Sequence, residues 1–154
     1  MKKIILTFDD GPSEDFPKLL DYLIKNNHKA IFFCLGKNLE NSKYEKDLIK
    51  AIKKGFIIAN HSYSHSNFNF ISFKKGKKEI LKTDKLISEL YKKAGIKQDI
   101  KLFRFPYFSE GIFCFHKYQK LLRSLGYRNP YFKKKTKIKK QRKYLFFHFI
   151  QGFR

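Results

Sequence analysis

The chain has 154 residues, 42% of them hydrophobic, enough for one domain with one core. Its formal net charge of +22 favours anionic partners such as nucleic acid, anionic glycans or membrane surfaces. No stretch approaches the ~18 to 20 apolar residues of a membrane-crossing helix, and Cys34 and Cys114 form no CxxC pair, which argues against a cysteine-built zinc site.

Ile4 to Phe8 is a short apolar run stopped by Asp9-Asp10-Gly11-Pro12, which predicts a buried strand ending in a loop. Asp15 and Pro17 mark a helix start, and Phe16, Leu19, Leu20, Leu23 and Ile24 form one apolar helical stripe. Ala30 to Leu35 reads as a second buried strand, closed by Gly36. Tyr44, Leu48, Ile49 and Ile52 give another helix, ended by Gly55. Phe56 to Ala59 is a third strand, which delivers His61-Ser62-Tyr63-Ser64-His65. Ile80, Ile87, Tyr91 and Ala94 mark a longer helix before Gly95. Ile100 to Phe103 is a fourth strand, leading into Arg104-Phe105-Pro106-Tyr107, and His116 to Leu125 is a last helix ending at Gly126. Strands alternating with helices predict βαβ units and a parallel sheet, with sites collected at the C-terminal ends of the strands. The three polar clusters each follow a predicted strand.

The tail differs. Lys133 to Lys143 reads KKKTKIKKQRK, and Tyr144 to Ile150 is aromatic and strand-like. The basic run reads as a loop, a helix surface, a polyanion-binding arm, or sequence following a disrupted reading frame. Every acidic residue lies before residue 111, and Lys greatly outnumbers Arg. A solvated Lys-rich surface is one reading of this charge; non-specific polyanion binding is the other. The cysteines read as two free thiols, or as one disulfide if the protein is exported. Ile4-Ile5-Leu6 is too short for a secretory h-region, so the expectation is a soluble, cytoplasmic chain, exported only if an N-terminal segment is missing.

The clusters permit specific chemistry. Adjacent carboxylates can split roles when the backbone turns after a strand: Asp10 as a metal ligand, Asp9 as a base. A turn or helix-cap pair is the alternative. His61 and His65 are spaced i, i+4, so on a helical turn both imidazoles face one way and can hold a divalent ion. The alternative is a pair of solvated histidines. Two His and one carboxylate leave open positions for water and substrate, which suits metal-assisted hydrolysis. Arg104 can hold Asp9 through a charge-assisted hydrogen bond, or form a surface salt bridge. Pro106 fixes the local backbone, so an N–H near Tyr107 can point at a developing oxyanion.

Taken together, these segments resemble the polysaccharide deacetylases of the NodB-homology type, carbohydrate esterase family 4. Thr7-Phe8-Asp9-Asp10-Gly11-Pro12 looks like the family's TFDDGP motif. His61 to His65, preceded by Asn60, looks like its H(S/T)xxH motif, and Arg104-Phe105-Pro106-Tyr107 like its RxPY motif. Ala30-Ile31-Phe32-Phe33 resembles the ATFF strand between the first two. The order and spacing agree from about residue 4 to residue 127.

The resemblance implies an α/β fold, a distorted (β/α) barrel, here incomplete at its C-terminal end. It implies one divalent metal ion, commonly zinc, with Asp10, His61 and His65 as ligands. Asp9 would be the general base, Arg104 would orient it, and the Tyr107 backbone would help form the oxyanion hole. The implied substrate is an N-acetylated sugar, glycan or glycolipid, with acetate leaving.

Three departures stand out. Phe108 follows Tyr107 where the family usually has Gly. The family's fourth motif, an Asp and Trp pair, should follow Gly126-Tyr127, but the chain has Arg128-Asn129-Pro130-Tyr131-Phe132. The fifth motif is an apolar strand ending in a general-acid His, and Tyr144 to His148 resembles it, making His148 the candidate. The expected organisation is a deacetylase-like catalytic domain over 1–132 and a basic, aromatic segment over 133–154 supplying the last barrel strand. The alternatives are a degenerate member that binds metal or glycan with little turnover, and a basic nucleic-acid-binding module. No zinc-finger, helix-turn-helix or RNA-binding signature favours the latter, so no specific nucleic acid is expected.

Overall fold

The computed structural model describes residues 5–40 and 42–128, together with the backbone of 135–136 and 145–148. Eight of its elements position the site. β1 (Ile5–Gly11) runs into α1 (Phe16–Lys25), then β2 (Ala30–Cys34), the short α2 (Gly36–Leu39), α3 (Glu45–Lys53) and β3 (Ile57–Asn60). The 22-residue α4 (Phe73–Ala94) and α5 (Phe115–Ser124) follow. Pro17 sits in the first turn of α1, where its missing N–H costs nothing. Ser72 caps α4 by accepting from Lys75 N, and Gly95 ends it in the left-handed conformation.

The strands β1, β2 and β3 pair in parallel, as the alternation of strands and helices predicts. Side-chain alternation along β2 divides the interior. Ala30, Phe32 and Cys34 pack toward α1, α3 and α4, among Leu20, Leu23, Leu48, Ile52 and Ile87. Ile31 and Phe33 point the other way, with Ala59 and Leu102. A third cluster joins α4 and α5 around Phe68, Phe103, Phe105, Tyr118 and Leu122. Beyond β3, parallel bridges link Asn60 with Phe103 and Lys101 with Tyr127. The strand expected over 100–103 is thus present as isolated bridges, still directed along β3. The whole is an incomplete, distorted (β/α) barrel.

On the other side of β1 lie β5 (Leu145–His148) and then β4 (Lys135–Thr136), giving the order β3-β2-β1-β5-β4. Both new pairings are antiparallel. The resemblance makes His148, at the end of an apolar strand, the candidate general acid. Because β5 runs against β1, His148 is registered opposite Ile5 and Leu145 opposite Phe8. At ~3.3 Å per strand residue, the His148 backbone lies at the end of β1 away from Asp9 and Asp10. The side chain of His148 lies outside the described residues, as do residues 129–132 of the divergent fourth motif. So does the basic run 133–143 assigned to polyanion binding, apart from the backbone of Lys135–Thr136. Among the described residues no helix is long and apolar enough to cross a membrane, and Cys34 and Cys114 are free thiols.

Candidate metal centre

β1 carries the two carboxylates to the rim of the barrel, and a bulge separates their roles. In a regular strand Asp9 and Asp10 would project to opposite faces. The register shifts between Asp9 and Gly11, and Asp10 takes a left-handed φ of 64°. A bulge of this kind re-aims a side chain. Asp9 keeps the face shared with Thr7, while Asp10 turns toward the loop after β3. There its Oδ1 lies 3.5 Å from His61 Nε2 and 3.2 Å from His65 Nε2. Ligand atoms of all three residues fall within 4.8 Å of one another.

The donor set fits a divalent ion such as zinc, which takes imidazole nitrogen and carboxylate oxygen. The tautomer of His61 fits as well. Its Nδ1 lies 2.7 Å from the Arg104 carbonyl oxygen, which can only accept, so the proton sits on Nδ1 and Nε2 presents its lone pair toward Asp10. Burial pushes the imidazole of His61 below its ordinary pKa, against the opposing pull of Asp9, and favours the neutral, ligating form. His61 is buried, His65 is half-buried and the Asp10 side chain is 48% exposed, so the cluster opens to solvent on the Asp10 side.

Asp9 lies on the inner side of this cluster. Arg104 Nη1 donates to its Oδ1 and also to Thr7 Oγ1 at 3.2 Å, both on the same face of β1. The guanidinium stacks 3.9 Å from the centroid of Phe33. Burial raises the pKa of Asp9 from its ordinary value, and the charge of Arg104 works against that rise. The Tyr107 ring meets His65 edge-on at 4.5 Å and is otherwise exposed. Tyr107 and Phe108 both have positive φ, 56° and 54°. The sequence therefore places a phenylalanine in a conformation that favours glycine, at the position where it departs from the family it resembles.

Several supporting residues were not evident from sequence. The 61–65 loop is tied down at the N–H groups of residues 61 to 64 and at the carbonyls of Ser62 and Tyr63. Gly36 N donates to Ser62 O and Lys37 N to Tyr63 O, so α2 serves as a bracket. Asn60 Oδ1 accepts from Ser62 N at 2.9 Å, while its Nδ2 donates to Tyr127 Oη and Ile80 O. Tyr127 Oη donates in turn to Asp84, which pairs with Lys101. Glu79 of α4 accepts from Tyr63 N, Ser64 N and Ser64 Oγ. One sequence signal was available for Glu79: it stands four and eight residues before Thr83 and Ile87, on the buried stripe of α4, where a carboxylate needs partners.

A family model for polysaccharide deacetylase matches residues 1–130, and the chain belongs to this family. A peptidoglycan-N-acetylglucosamine deacetylase of Bacillus cereus is 39% identical over 89 residues, covering 57% of this chain and 32% of that protein. A bifunctional xylanase/deacetylase of Pseudobutyrivibrio xylanivorans is 39% identical over 108 residues, 70% of this chain and 17% of its own length. The solved family 4 carbohydrate esterase of Streptomyces lividans, in complex with acetate, matches with a TM-score of 0.70 at 26% identity. That match covers 86% of this chain and 63% of the esterase. The chain thus spans less than a third of either curated relative.

Proposed function

We propose that the chain is a metal-dependent hydrolase that removes N-acetyl groups from an N-acetylated sugar, glycan or glycolipid. The observation that carries this reading is the convergence of Asp10, His61 and His65, ligand atoms within 4.8 Å, beside the separately held Asp9. Asp10, His61 and His65 would hold one divalent ion, zinc by the chemistry of the donors. When bound, such an ion polarises a carbonyl and lowers the pKa of water. Asp9, on the inner side, accepts the proton of the attacking water. Arg104 fixes the orientation of that carboxylate and keeps its charge compensated. Tyr107, in its positive-φ turn, offers a backbone N–H on the rim next to His65 for the oxygen that gains charge. The named activities of the relatives, deacetylation of peptidoglycan N-acetylglucosamine among them, agree with this substrate class.

A second reading, metal binding with little turnover, is favoured by one observation: no acidic residue or Trp occupies 128–132. One experiment separates the two. Acetate release from N-acetylglucosamine oligomers is measured with zinc-loaded wild type and Asp9→Asn. Turnover lost in the variant, with zinc retained, supports the deacetylase. Stoichiometric zinc without turnover in wild type supports the second reading.

A further inference from the structure

We propose that Glu79 is a positioning residue for the metal centre: from behind the loop, it fixes the backbone that aims His65 at Asp10. This rests on the metal-centre reading above.

The argument begins with the loop itself. Ser62 and His65 both hold left-handed φ values, 67° and 63°. Neither residue has glycine's freedom there, and such conformations persist only where the surroundings over-determine them. Between them lie the amides of Tyr63 and Ser64. The acceptor they meet is Glu79 Oε2, at 3.0 and 2.7 Å. Oε1 accepts from the Ser64 hydroxyl at 2.8 Å. One carboxylate therefore takes three donors from two consecutive residues directly before His65.

Glu79 is only 8% exposed, and among the described residues no Lys or Arg forms a salt bridge with it. Its recorded partners are all loop donors. A carboxylate can only accept, so three converging N–H and O–H groups suit it and would suit no apolar side chain of like size. α4 makes a stiff support, being capped at both ends and packed on α3 and β3. The carboxylate thus joins a rigid helix to a strained loop. Its hydrogen bonds among the described residues go to Tyr63 and Ser64, so its effect on the centre passes through the loop to His65.

The test compares wild type with Glu79→Ala, Glu79→Met, Glu79→Gln and Ile80→Val. The last shortens a buried side chain on the same helix without touching a loop amide. Two quantities are read: hydrogen exchange of the Tyr63 and Ser64 amides in metal-free protein, and the zinc Kd by calorimetry. In Glu79→Ala, protection of the two amides falls on the order of tenfold or more. Zinc binding weakens about 10- to 100-fold, the usual effect of losing a group that orients a ligand. Glu79→Met carries the same expectation and fills the vacated volume, should the alanine variant not fold. Glu79→Gln keeps one carbonyl oxygen for both amides and restores most of each quantity. Ile80→Val lowers Tm and leaves both unchanged. Unaltered amide protection and zinc Kd in a folded Glu79→Ala or Glu79→Met overturns the proposal, as does an equal loss in Ile80→Val. If wild type binds no zinc, the metal-dependent reading fails, while the exchange comparison still decides the role of Glu79.

Discussion

Arg104 donates to the carboxylate of Asp9 across 95 residues of sequence, and neither side chain is more than 7% exposed. The two were brought together by strand geometry: Thr7 and Asp9 share a face of β1, and the 101–104 segment runs beside β3, with Arg104 N donating to Asn60 O. Removing one partner from such a pair leaves the other charge buried and uncompensated. Arg104→Ala is therefore expected to destabilise the fold by about 3–5 kcal/mol, read as a lowered urea midpoint. Arg104→Lys keeps the charge but loses the planar contact with Phe33 and the fixed Nη1 that donates to both Thr7 and Asp9. It should fall between alanine and wild type. A wild-type midpoint in Arg104→Ala would show that the pair contributes nothing to stability.

Metal binding should be visible as stability before any substrate is identified. A ligand that binds only the folded state at a thousand times its Kd adds about 4 kcal/mol. For a domain of this size that corresponds to a rise of roughly 10 °C in Tm. Zinc should produce that rise in wild type, with one ion per chain, and a chelator should reverse it. His61→Ala should abolish both the rise and the stoichiometry, because the ring held by the Arg104 carbonyl is the buried ligand of the set. A full rise in the variant would place the ion elsewhere.

Much of this site was legible because its chemistry is contiguous in the chain. Asp9-Asp10 stands at a strand end and Arg104 before Pro106, as read; His61 and His65 converge in a loop with positive φ at Ser62 and His65, not on the helical turn that their spacing predicts. The parallel core was legible from alternating strand and helix patterns. What could not be read was direction and conformation. An apolar run ending in His148 looks the same whether its strand runs with β1 or against it, and here it runs against. No pattern announces the bulge that separates Asp9 from Asp10, since it lives in the φ of Asp10. Glu79 stayed hidden because two of its three partners are backbone N–H groups, which every residue but proline carries.

Phe108 offers a test of strain near the centre. Its φ of 54° lies where a side chain costs about 1–2 kcal/mol, and glycine would avoid that cost. Against this stands the extra chain entropy that glycine loses on folding, about 0.5–1 kcal/mol. Phe108→Gly should thus leave stability unchanged or raise it by up to about 1.5 kcal/mol. Thermal unfolding of the metal-free protein checks the sign. A clear loss of stability would mean that contacts of the Phe108 ring outweigh the backbone strain.

Gly36 is the point where α2 meets the 61–65 loop, beside Thr83, one turn along α4 from Glu79. Its N–H donates to Ser62 O at 2.9 Å, which needs the two backbones close together. A methyl group added at Gly36 would overlap Thr83 Oγ1 and the ring of Tyr63. Tyr63 cannot retreat freely, because its hydroxyl donates to Glu40 and its ring carries Lys82 at 3.8 Å. Overpacking of this kind costs about 1–3 kcal/mol. Gly36→Ala should therefore lower Tm and also weaken zinc binding, since the strain falls on the segment that carries both histidines. Gly95→Ala is the comparison: that site has open space around it but a φ of 68°, and it lies at the far end of α4. It should lower Tm while leaving the zinc Kd unchanged. Equal zinc affinity in the two variants would mean that the approach of α2 sets the fold of the loop but not the geometry of the ligands.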